Sequence, residues 1–214
     1  MGGMDWRAGD RVVTFENEFP NNIYVPSTLA EHGVELIETD WNGLSEALTG
    51  RTRLIVASTV NYTNGFRPPL EELSRMARDC GALLYLDGTQ SLGALEFDAR
   101  AVRPSVLAVH GYKWLLSPTG AAFAYVAPEV RQWLRPEVVG WRSDYDWRNV
   151  NQLHHGAPRF SDKAEKYEGA MLAFPLLYAM EASVGLMLEL GPAVIEARVQ
   201  ELAAECRRVV RGLG

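Results

Sequence analysis

The sequence predicts an α/β protein, a three-layer α/β/α domain built on a mostly parallel sheet and followed by C-terminal helices. Two short apolar runs, residues 82–86 and 106–109, are each followed at once by polar or glycine residues. Continuous apolar runs of this length are typical of strands that are buried on both faces, as in a parallel sheet. Helical patterns alternate with such runs along the chain, which is the order expected of a layered α/β domain.

Six strands are expected in the first part of the chain. Each is a short apolar run bounded by turn-forming or charged residues. Residues 16–22 are polar and contain a proline, so a loop is expected there. The expected strands are residues 11–15, 34–38, 53–57, 82–86, 106–109 and 120–126.

The best-defined helix follows Pro68 and Pro69 and ends before Gly81. Proline near the first helical position and glycine just past the last one are common helix boundaries. The apolar residues of this helix recur at helical spacing and include Cys80. We therefore expect Cys80 to pack against the sheet and not to act in catalysis. Shorter helices are expected near residues 27–33, 44–48 and 129–134.

An irregular stretch and two helices are expected in the last third of the chain. Residues 140–166 are dense in Trp, Asp, Arg and His, and such a stretch in a compact chain is usually functional or disordered. Residues 172–190 form the first helix, which Gly191 and Pro192 end. The second helix carries an apolar seam that includes Cys206 and that must pack against something.

The composition argues against several kinds of partner. The 214 residues carry a net charge of −6, which gives no basic surface for nucleic acid or anionic membranes. No apolar run is long enough to span a membrane, and the N-terminus lacks the apolar core of a signal peptide. The two cysteines are far apart and fit reduced thiols. We therefore expect a cytoplasmic protein with one large domain, or one domain plus an appendage.

Asp87 and Lys113 each follow one of the two apolar runs. Ligands bind at the carboxyl ends of parallel strands, so both side chains are expected at the functional edge of the sheet. A buried carboxylate needs a donor or a cation, and a lysine in a partly dry site can act as an amine nucleophile. An amine and an acid are the two groups that pyridoxal phosphate (PLP) requires, for its aldehyde and its pyridine nitrogen.

The residues around this pair resemble a known family. Asp87-Gly88-Thr89-Gln90 is followed by the stretch 110–120, His-Gly-Tyr-Lys-Trp-Leu-Leu-Ser-Pro-Thr-Gly. Together they resemble the class V aminotransferases, fold-type I PLP enzymes that include cysteine desulfurases, kynureninases and isopenicillin-epimerase-like proteins. The resemblance implies PLP as cofactor, an amino-acid substrate, a homodimer, and a reaction of the epimerase, lyase or aminotransferase type.

The resemblance implies a role for most polar residues of the two stretches. It makes Lys113 the Schiff-base lysine and Asp87 the partner of the pyridine nitrogen. Gln90 matches the residue that hydrogen-bonds the phenolic oxygen of the cofactor. His110 and Tyr112 lie where the family contacts the phosphate, and Tyr112 stands where many members have histidine.

Two loops at other strand ends provide further candidates. Phe19 occupies the position of the residue that stacks on the cofactor ring in the family, although the stretch is also compatible with a plain surface loop. Asn61 and Tyr62 lie in a loop similar to one that approaches the substrate, although Tyr-Thr-Asn-Gly is also a good turn. Cysteine desulfurases tend to have asparagine in place of Tyr62, which favours the epimerase-like branch.

The resemblance also implies a division of the chain. Residues 1–139 are expected to be the PLP-binding large domain without its N-terminal segment. Residues 140–169 are expected to be an irregular active-site or interface segment, and residues 170–214 to be helices that lead to an absent small domain. Met171 replaces a hydroxyl residue that reaches the phosphate in the family, and a thioether donates no hydrogen bond.

Alternatives to a working enzyme remain open at this point. A catalytically inert fragment could keep the fold as a dimerisation or binding module, as the absent segments and Met171 suggest, but the intact cofactor residues oppose it. An unrelated nucleotide-binding protein is disfavoured because no glycine fingerprint follows any strand. No metal is expected, since the adjacent His154 and His155 lack a carboxylate or cysteine at ligand spacing.

Overall fold

The computed structural model describes residues 1–153 and 156–213. Its strands are β1 (Arg11–Phe15), β2 (Glu35–Thr39), β3 (Thr52–Ser58), β4 (Leu83–Asp87), β5 (Val106–His110) and β6 (Ala122–Val126). They form one sheet in the order β2-β1-β3-β4-β5-β6 within the described residues. Strands β1 to β5 are parallel and β6 is antiparallel to β5. The prediction of a mostly parallel sheet is therefore confirmed.

Helices follow most of the strands. The α-helices are α1 (Pro20–Thr28), α2 (Leu44–Ala47), α3 (Leu70–Asp79), α4 (Ala99–Val102), α5 (Pro128–Arg131), α6 (Phe174–Leu190) and α7 (Pro192–Arg211). Short 3-10 helices cover Leu29–His32, Trp141–Ser143, Val150–Gln152 and Ala164–Tyr167. Helix α6 begins two residues after the predicted start at residue 172 and ends at residue 190, as predicted.

Apolar residues cover both faces of the sheet, because alternate residues of a strand point to opposite sides. On one side, Val13 and Ile55 belong to a cluster that contains Leu73 of α3. On the other side, Val12 belongs to a cluster that contains Leu29. Burial of each such side chain stabilises the fold by about 1.5–3 kcal/mol. The predicted three-layer arrangement is confirmed.

Helix α1 begins inside the stretch 16–22, which the sequence predicted to be a loop. Pro20 is its first residue, and Phe19 caps it with extended backbone at φ −59° and ψ 139°. Proline suits this position because its missing N–H needs no partner there. The loop after β1 is therefore shorter than expected, and Phe19 is held directly at the start of a helix.

The two cysteines lie in different surroundings. Cys80 is partly buried at the end of α3 and packs against the core, as predicted. Cys206 is exposed on α7. The α7 seam is covered only near its start, where Ile195 contacts the core, whereas Leu202 and Val209 are each 48% exposed.

The segment 140–169 contains only short 3-10 turns and a bridge between Asp144 and Phe160 in its described part. His154 and His155 lie outside the described residues. Elsewhere in the described chain, no three His, Cys, Asp or Glu side chains are grouped to hold a metal ion. No single described helix is long and apolar enough to cross a membrane, and α6 and α7, which pass that test only as a pair, are bent by 82°.

Candidate active site

A cavity of about 400 Å³ lies at the carboxyl edge of the sheet. Three of its lining residues end neighbouring strands: Ser58 ends β3, Asp87 ends β4 and His110 ends β5. Parallel strands place their carboxyl ends at one edge, where ligands of open α/β sheets bind. The volume suits a small cofactor or substrate.

Most of the site residues proposed from the sequence line this cavity. They are Phe19, Tyr62, Asp87, Gln90, His110, Tyr112 and Lys113. Asn61 does not line it, although it directly precedes Tyr62. Asn61 is buried, its side-chain oxygen accepts the Thr63 N–H at 2.8 Å, and its amide donates to the Asn17 carbonyl at 3.0 Å. These bonds shape the loop that carries Tyr62.

The Asp87 carboxylate has one oxygen bound within the chain and one available. Its Oδ1 accepts the backbone N–H of Thr89 at 2.9 Å, whereas Oδ2 has no hydrogen-bond partner in the described part of the chain. Thr59 fixes the strand end, because its N–H and its hydroxyl both donate to the Asp87 carbonyl, at 2.9 and 3.1 Å. A carboxylate held in this way can accept a charged N–H group of a ligand.

Tyr85 lies two residues before Asp87 on β4. Burial, and to a smaller extent the Asp87 charge, raises the pKa of Tyr85 to about 12. Both causes favour the neutral phenol, because its ionised form would be desolvated and next to a like charge. Tyr85 therefore adds no negative charge to this edge of the sheet at neutral pH.

The turn that carries Lys113 is closed tightly against α6. The Ser117 N–H donates to the Gly111 carbonyl at 3.0 Å, and the Leu116 N–H donates to the Lys113 carbonyl at 3.1 Å. A Cβ on Gly111 would lie 2.9 Å from Cβ of Ser117 and 3.1 Å from the Ala121 carbonyl oxygen, so the close approach within the turn favours glycine, and Cε of Met180 on α6 packs against the same position. Leu116 has a left-handed backbone with φ 52°, a strained conformation that persists only where the surroundings hold it.

The Lys113 amine lies near two aromatic rings. Its Nζ is 5.8 Å from the centre of the Phe19 ring and 5.7 Å from that of Tyr112. Both distances are within the range of cation–π attraction, about 6 Å. No described carboxylate forms an ion pair with Lys113, so the amine is available to a ligand.

Phe19 and Tyr62 form an aromatic wall of the cavity. Their ring centres are 5.4 Å apart and their planes meet at 85°, an edge-to-face contact. The two residues come from the loops after β1 and β3. The wall therefore joins two strand ends that are neighbours in the sheet.

His110 and Tyr112 form a second aromatic pair, with ring centres 4.3 Å apart. The His110 backbone N–H donates to the Thr89 hydroxyl at 3.1 Å. The His110 Nδ1 is buried and has no hydrogen-bond partner among the described residues. Buried polar atoms rarely lack a partner, so Nδ1 is suited to meet a polar group of a ligand.

Four lining residues were missed by reasoning from the sequence. They are Asn21, Ser58, Thr89 and Thr119. Ser58 and Thr89 lie at strand ends, and that position could have identified them. Asn21 lies in the first turn of α1, whose start the sequence did not predict. Thr119 follows the Lys113 turn, and no periodicity indicates where its side chain points.

The groups that line the cavity fit PLP. Lys113 offers a primary amine, and Asp87 offers an available carboxylate oxygen. Phe19 offers an aromatic face of a kind that stacks on a pyridine ring. The partnerless His110 Nδ1 and the Tyr112 phenol offer polar atoms for a phosphate.

Comparisons with known proteins identify relatives of this chain. The family model described as Aminotransferase class-V matches residues 2–213. The chain is 27% identical to a probable cysteine desulfurase of Methanothermobacter thermautotrophicus, over 99% of this chain and 54% of that protein. It is 33% identical to an isopenicillin N epimerase of Streptomyces clavuligerus, over 77% of this chain and 42% of that protein. The chain thus spans about half the length of the curated relatives it matches.

Solved structures share the fold. One is a lysine-to-alanine mutant of C-DES with glycine covalently linked to its PLP cofactor, with a TM-score of 0.82 and 24% identity. The match covers 99% of this chain and 57% of that chain. Another is the apo cysteine desulfurase of Thermococcus onnurineus NA1, with a TM-score of 0.83 and 21% identity. That match covers 99% of this chain and 52% of the other. At these identities the likeness concerns the fold alone.

Proposed function

The chain belongs to the class-V aminotransferase family of PLP-dependent enzymes, and we propose that it carries the cofactor-binding part of an enzyme that acts on an amino acid. Lys113 is its Schiff-base lysine. The observation that carries the proposal is the cavity in which Lys113, Asp87 and Phe19 meet. These residues come from the loop after β1, the last residue of β4 and the turn after β5, and their convergence with the family's motifs supports a common role.

Each of the three residues has a defined task toward the cofactor. When bound, PLP supplies an aldehyde that condenses with amines and a protonated ring that withdraws electrons from the substrate Cα. Lys113 supplies the amine that holds the cofactor. Asp87 would keep the proton on the ring nitrogen, because its available oxygen can accept that N–H. Phe19 would stack on the ring, a contact of about 0.5–1.5 kcal/mol beyond area burial.

The remaining polar residues of the cavity would orient the cofactor. Gln90 would hydrogen-bond its phenolic oxygen, while His110 and Tyr112 would contact its phosphate. Tyr112 would donate a neutral phenol hydrogen bond at a position where a histidine could carry charge. At this position the phosphate would therefore receive a neutral hydrogen bond, where a histidine could offer a charge.

With cofactor and substrate bound, the Lys113 amine would be the group that moves a proton at the substrate Cα, as a general base. Return of the proton to the opposite face of Cα would give epimerisation, and its transfer to another atom would give transamination. Loss of a substituent from the substrate would instead give elimination. Tyr62 favours the epimerase-like branch, which the 33% identity with an isopenicillin N epimerase also supports.

A catalytically inert dimerisation or binding module is the second candidate. Met171 favours it, because this residue stands where the family has a hydroxyl, is 68% exposed and donates no hydrogen bond. The family resemblance also supports self-association in either case. Sedimentation that finds a stable monomer with full PLP binding would contradict the proposed homodimer.

A titration of the purified chain with PLP separates the two candidates. A working site gives a visible absorbance band that survives dialysis and is lost in Lys113→Ala. Lys163→Ala removes an exposed lysine of the same chain and is the matched control, so it should keep the band. A wild-type band no larger than that of Lys113→Ala favours the inert module. Amino acids that shift the band then identify the substrate class.

A further inference from the structure

Glu18 is a buried carboxylate next to the cavity, and the proposed chemistry does not use it. The residue is 5% exposed and lies in the loop between β1 and α1. A buried charge is costly unless it is paired or fully hydrogen-bonded. No described Lys, Arg or His forms an ion pair with Glu18, so hydrogen bonds must hold it.

Four donors surround the Glu18 carboxylate. Oε1 accepts the Ser58 backbone N–H at 2.6 Å. Oε2 accepts the Ser58 hydroxyl at 2.6 Å, the Asn22 side-chain amide at 3.0 Å and the Phe19 backbone N–H at 3.2 Å. Asn22 also donates to the Ser58 hydroxyl oxygen at 3.2 Å. The carboxylate therefore ties the start of α1 to the end of β3.

The network fixes the backbone of Phe19 on both sides. Glu18 accepts the Phe19 N–H, and the Asn22 N–H donates to the Phe19 carbonyl at 2.8 Å. We propose that Glu18 is a positioning residue that fixes the Phe19 ring relative to Lys113, whose Nζ is 5.8 Å from the ring centre. This inference rests on the proposed function, in which Phe19 stacks on the cofactor.

Only a carboxylate at position 18 can satisfy all four donors. Its two oxygens offer about four acceptor sites, whereas an amide offers one oxygen and an NH₂ group that is itself a donor. In Glu18→Gln the NH₂ must face at least one of the donors, which stays unpaired in a buried site. The disturbance falls first on the loop that carries Phe19. Glu16 lies in the same loop but is exposed, so Glu16→Gln is the matched control.

Amide hydrogen exchange of the cofactor-free protein tests the placement of the loop. In Glu18→Gln, exchange at Phe19 and Ser58 should rise at least about tenfold, while the amides of β4 keep their rates. Glu16→Gln should change neither. Ser58→Ala removes the hydroxyl donor but keeps the backbone donor, so the rise in exchange at Phe19 should be smaller. This variant tests the proposal if Glu18→Gln does not fold. Unchanged exchange at Phe19, or a rise that extends equally to β4, overturns the proposal.

A double-mutant cycle tests whether Glu18 acts through Phe19. Glu18→Gln and Phe19→Leu should each weaken PLP binding by about 2- to 12-fold, and the double variant should bind no more weakly than Phe19→Leu. Additive losses overturn the proposal, because Glu18 would then act independently of the ring. A wild-type chain that binds no PLP contradicts the proposed function instead, and the exchange experiment alone then decides the role of Glu18.

Discussion

The Nζ of Lys113 lies 5.8 Å from the centre of the Phe19 ring. Lys113 follows β5 and Phe19 follows β1, so the fold and not the local sequence brings them together. The distance allows cation–π attraction. It also places the proposed cofactor-holding amine next to the proposed stacking face. Changes at either residue are therefore expected to alter the affinity for PLP.

Removal of the Phe19 ring should weaken cofactor binding. Phe19→Leu is expected to cost about 0.5–1.5 kcal/mol of PLP affinity, because the stacking contact is lost. Phe19→Tyr keeps the ring and should bind nearly as well as the wild type. Titration of the visible band measures both affinities. Equal losses in the two variants would contradict a stacking role.

Tyr112→Phe should weaken the binding of PLP but not of pyridoxal. The variant loses a phenol hydrogen bond to the charged phosphate, worth about 1.5–3 kcal/mol. Pyridoxal has no phosphate and serves as the matched ligand, so its affinity should stay at the wild-type value. A similar loss for both ligands would show that Tyr112 acts through its ring and not through its hydroxyl.

Alkaline pH should destabilise the fold through Tyr85. The pKa of Tyr85 is raised from 10 to about 12 by burial and by the Asp87 charge. The folded state holds this proton more tightly, so the stabilisation is complete below pH 10 and is lost as the pH rises through about 12. Tyr85→Phe should remove this part of the pH dependence of the free energy of unfolding. An unchanged alkaline profile would contradict the assignment.

Asp87→Asn should lower the pKa of Tyr85 only in part. Burial is the larger cause of the raised pKa and persists in the variant, whereas the like charge is removed. Ultraviolet titration of tyrosinate, with Tyr85→Phe to identify the signal, measures the change. A pKa that stays at the wild-type value would show that the carboxylate does not affect Tyr85.

Glu196 should stabilise the start of α7 near neutral pH. Its carboxylate accepts the Glu96 N–H at 2.7 Å and pairs with Arg67 at 3.1 Å. The Glu96 hydrogen bond and, to a smaller extent, Arg67 lower the pKa of Glu196 below its ordinary 4.5. The stabilisation is therefore present above pH 4.5 and is lost as the pH falls through the lowered pKa.

Glu196→Gln should cost about 1 kcal/mol of unfolding free energy near neutral pH and almost nothing in acid. Urea unfolding at both pH values measures this. Glu201→Gln is the control on the same helix, because its pair with Arg198 is exposed on both sides and should contribute about 0–0.5 kcal/mol. Equal effects of the two substitutions would show that the Glu96 contact does not anchor α7.

Strands and long helices could be predicted because their patterns are local. The run 11–15 has sharp polar boundaries and matches β1 residue for residue. The start of α1 could not be predicted, since Pro20 is compatible both with a loop and with a first helical position. In the structure this helix start is tied to the end of β3 through Glu18, whose partner Ser58 is 40 residues away in the sequence.

The candidate site was predictable where residues follow strand ends. Asp87 and His110 end β4 and β5, so sheet topology alone places them at one edge. Asn61 and Tyr62 are adjacent in a loop without periodicity, and only their hydrogen bonds and packing decide that Tyr62 faces the cavity. The exposed face of α7 was also unpredictable, since its pattern indicates a contact but not a partner.

The residue that holds PLP can be identified by borohydride reduction of the bound complex, followed by peptide mapping with mass spectrometry. The chain has three lysines: Lys113, Lys163 and Lys166. Lys166 is buried and donates to the Arg131 carbonyl, whereas Lys163 is exposed and reports non-specific modification. We expect one cofactor per chain on Lys113, and only traces on the other two. Label on Lys163 or Lys166 with none on Lys113 would contradict the proposed site.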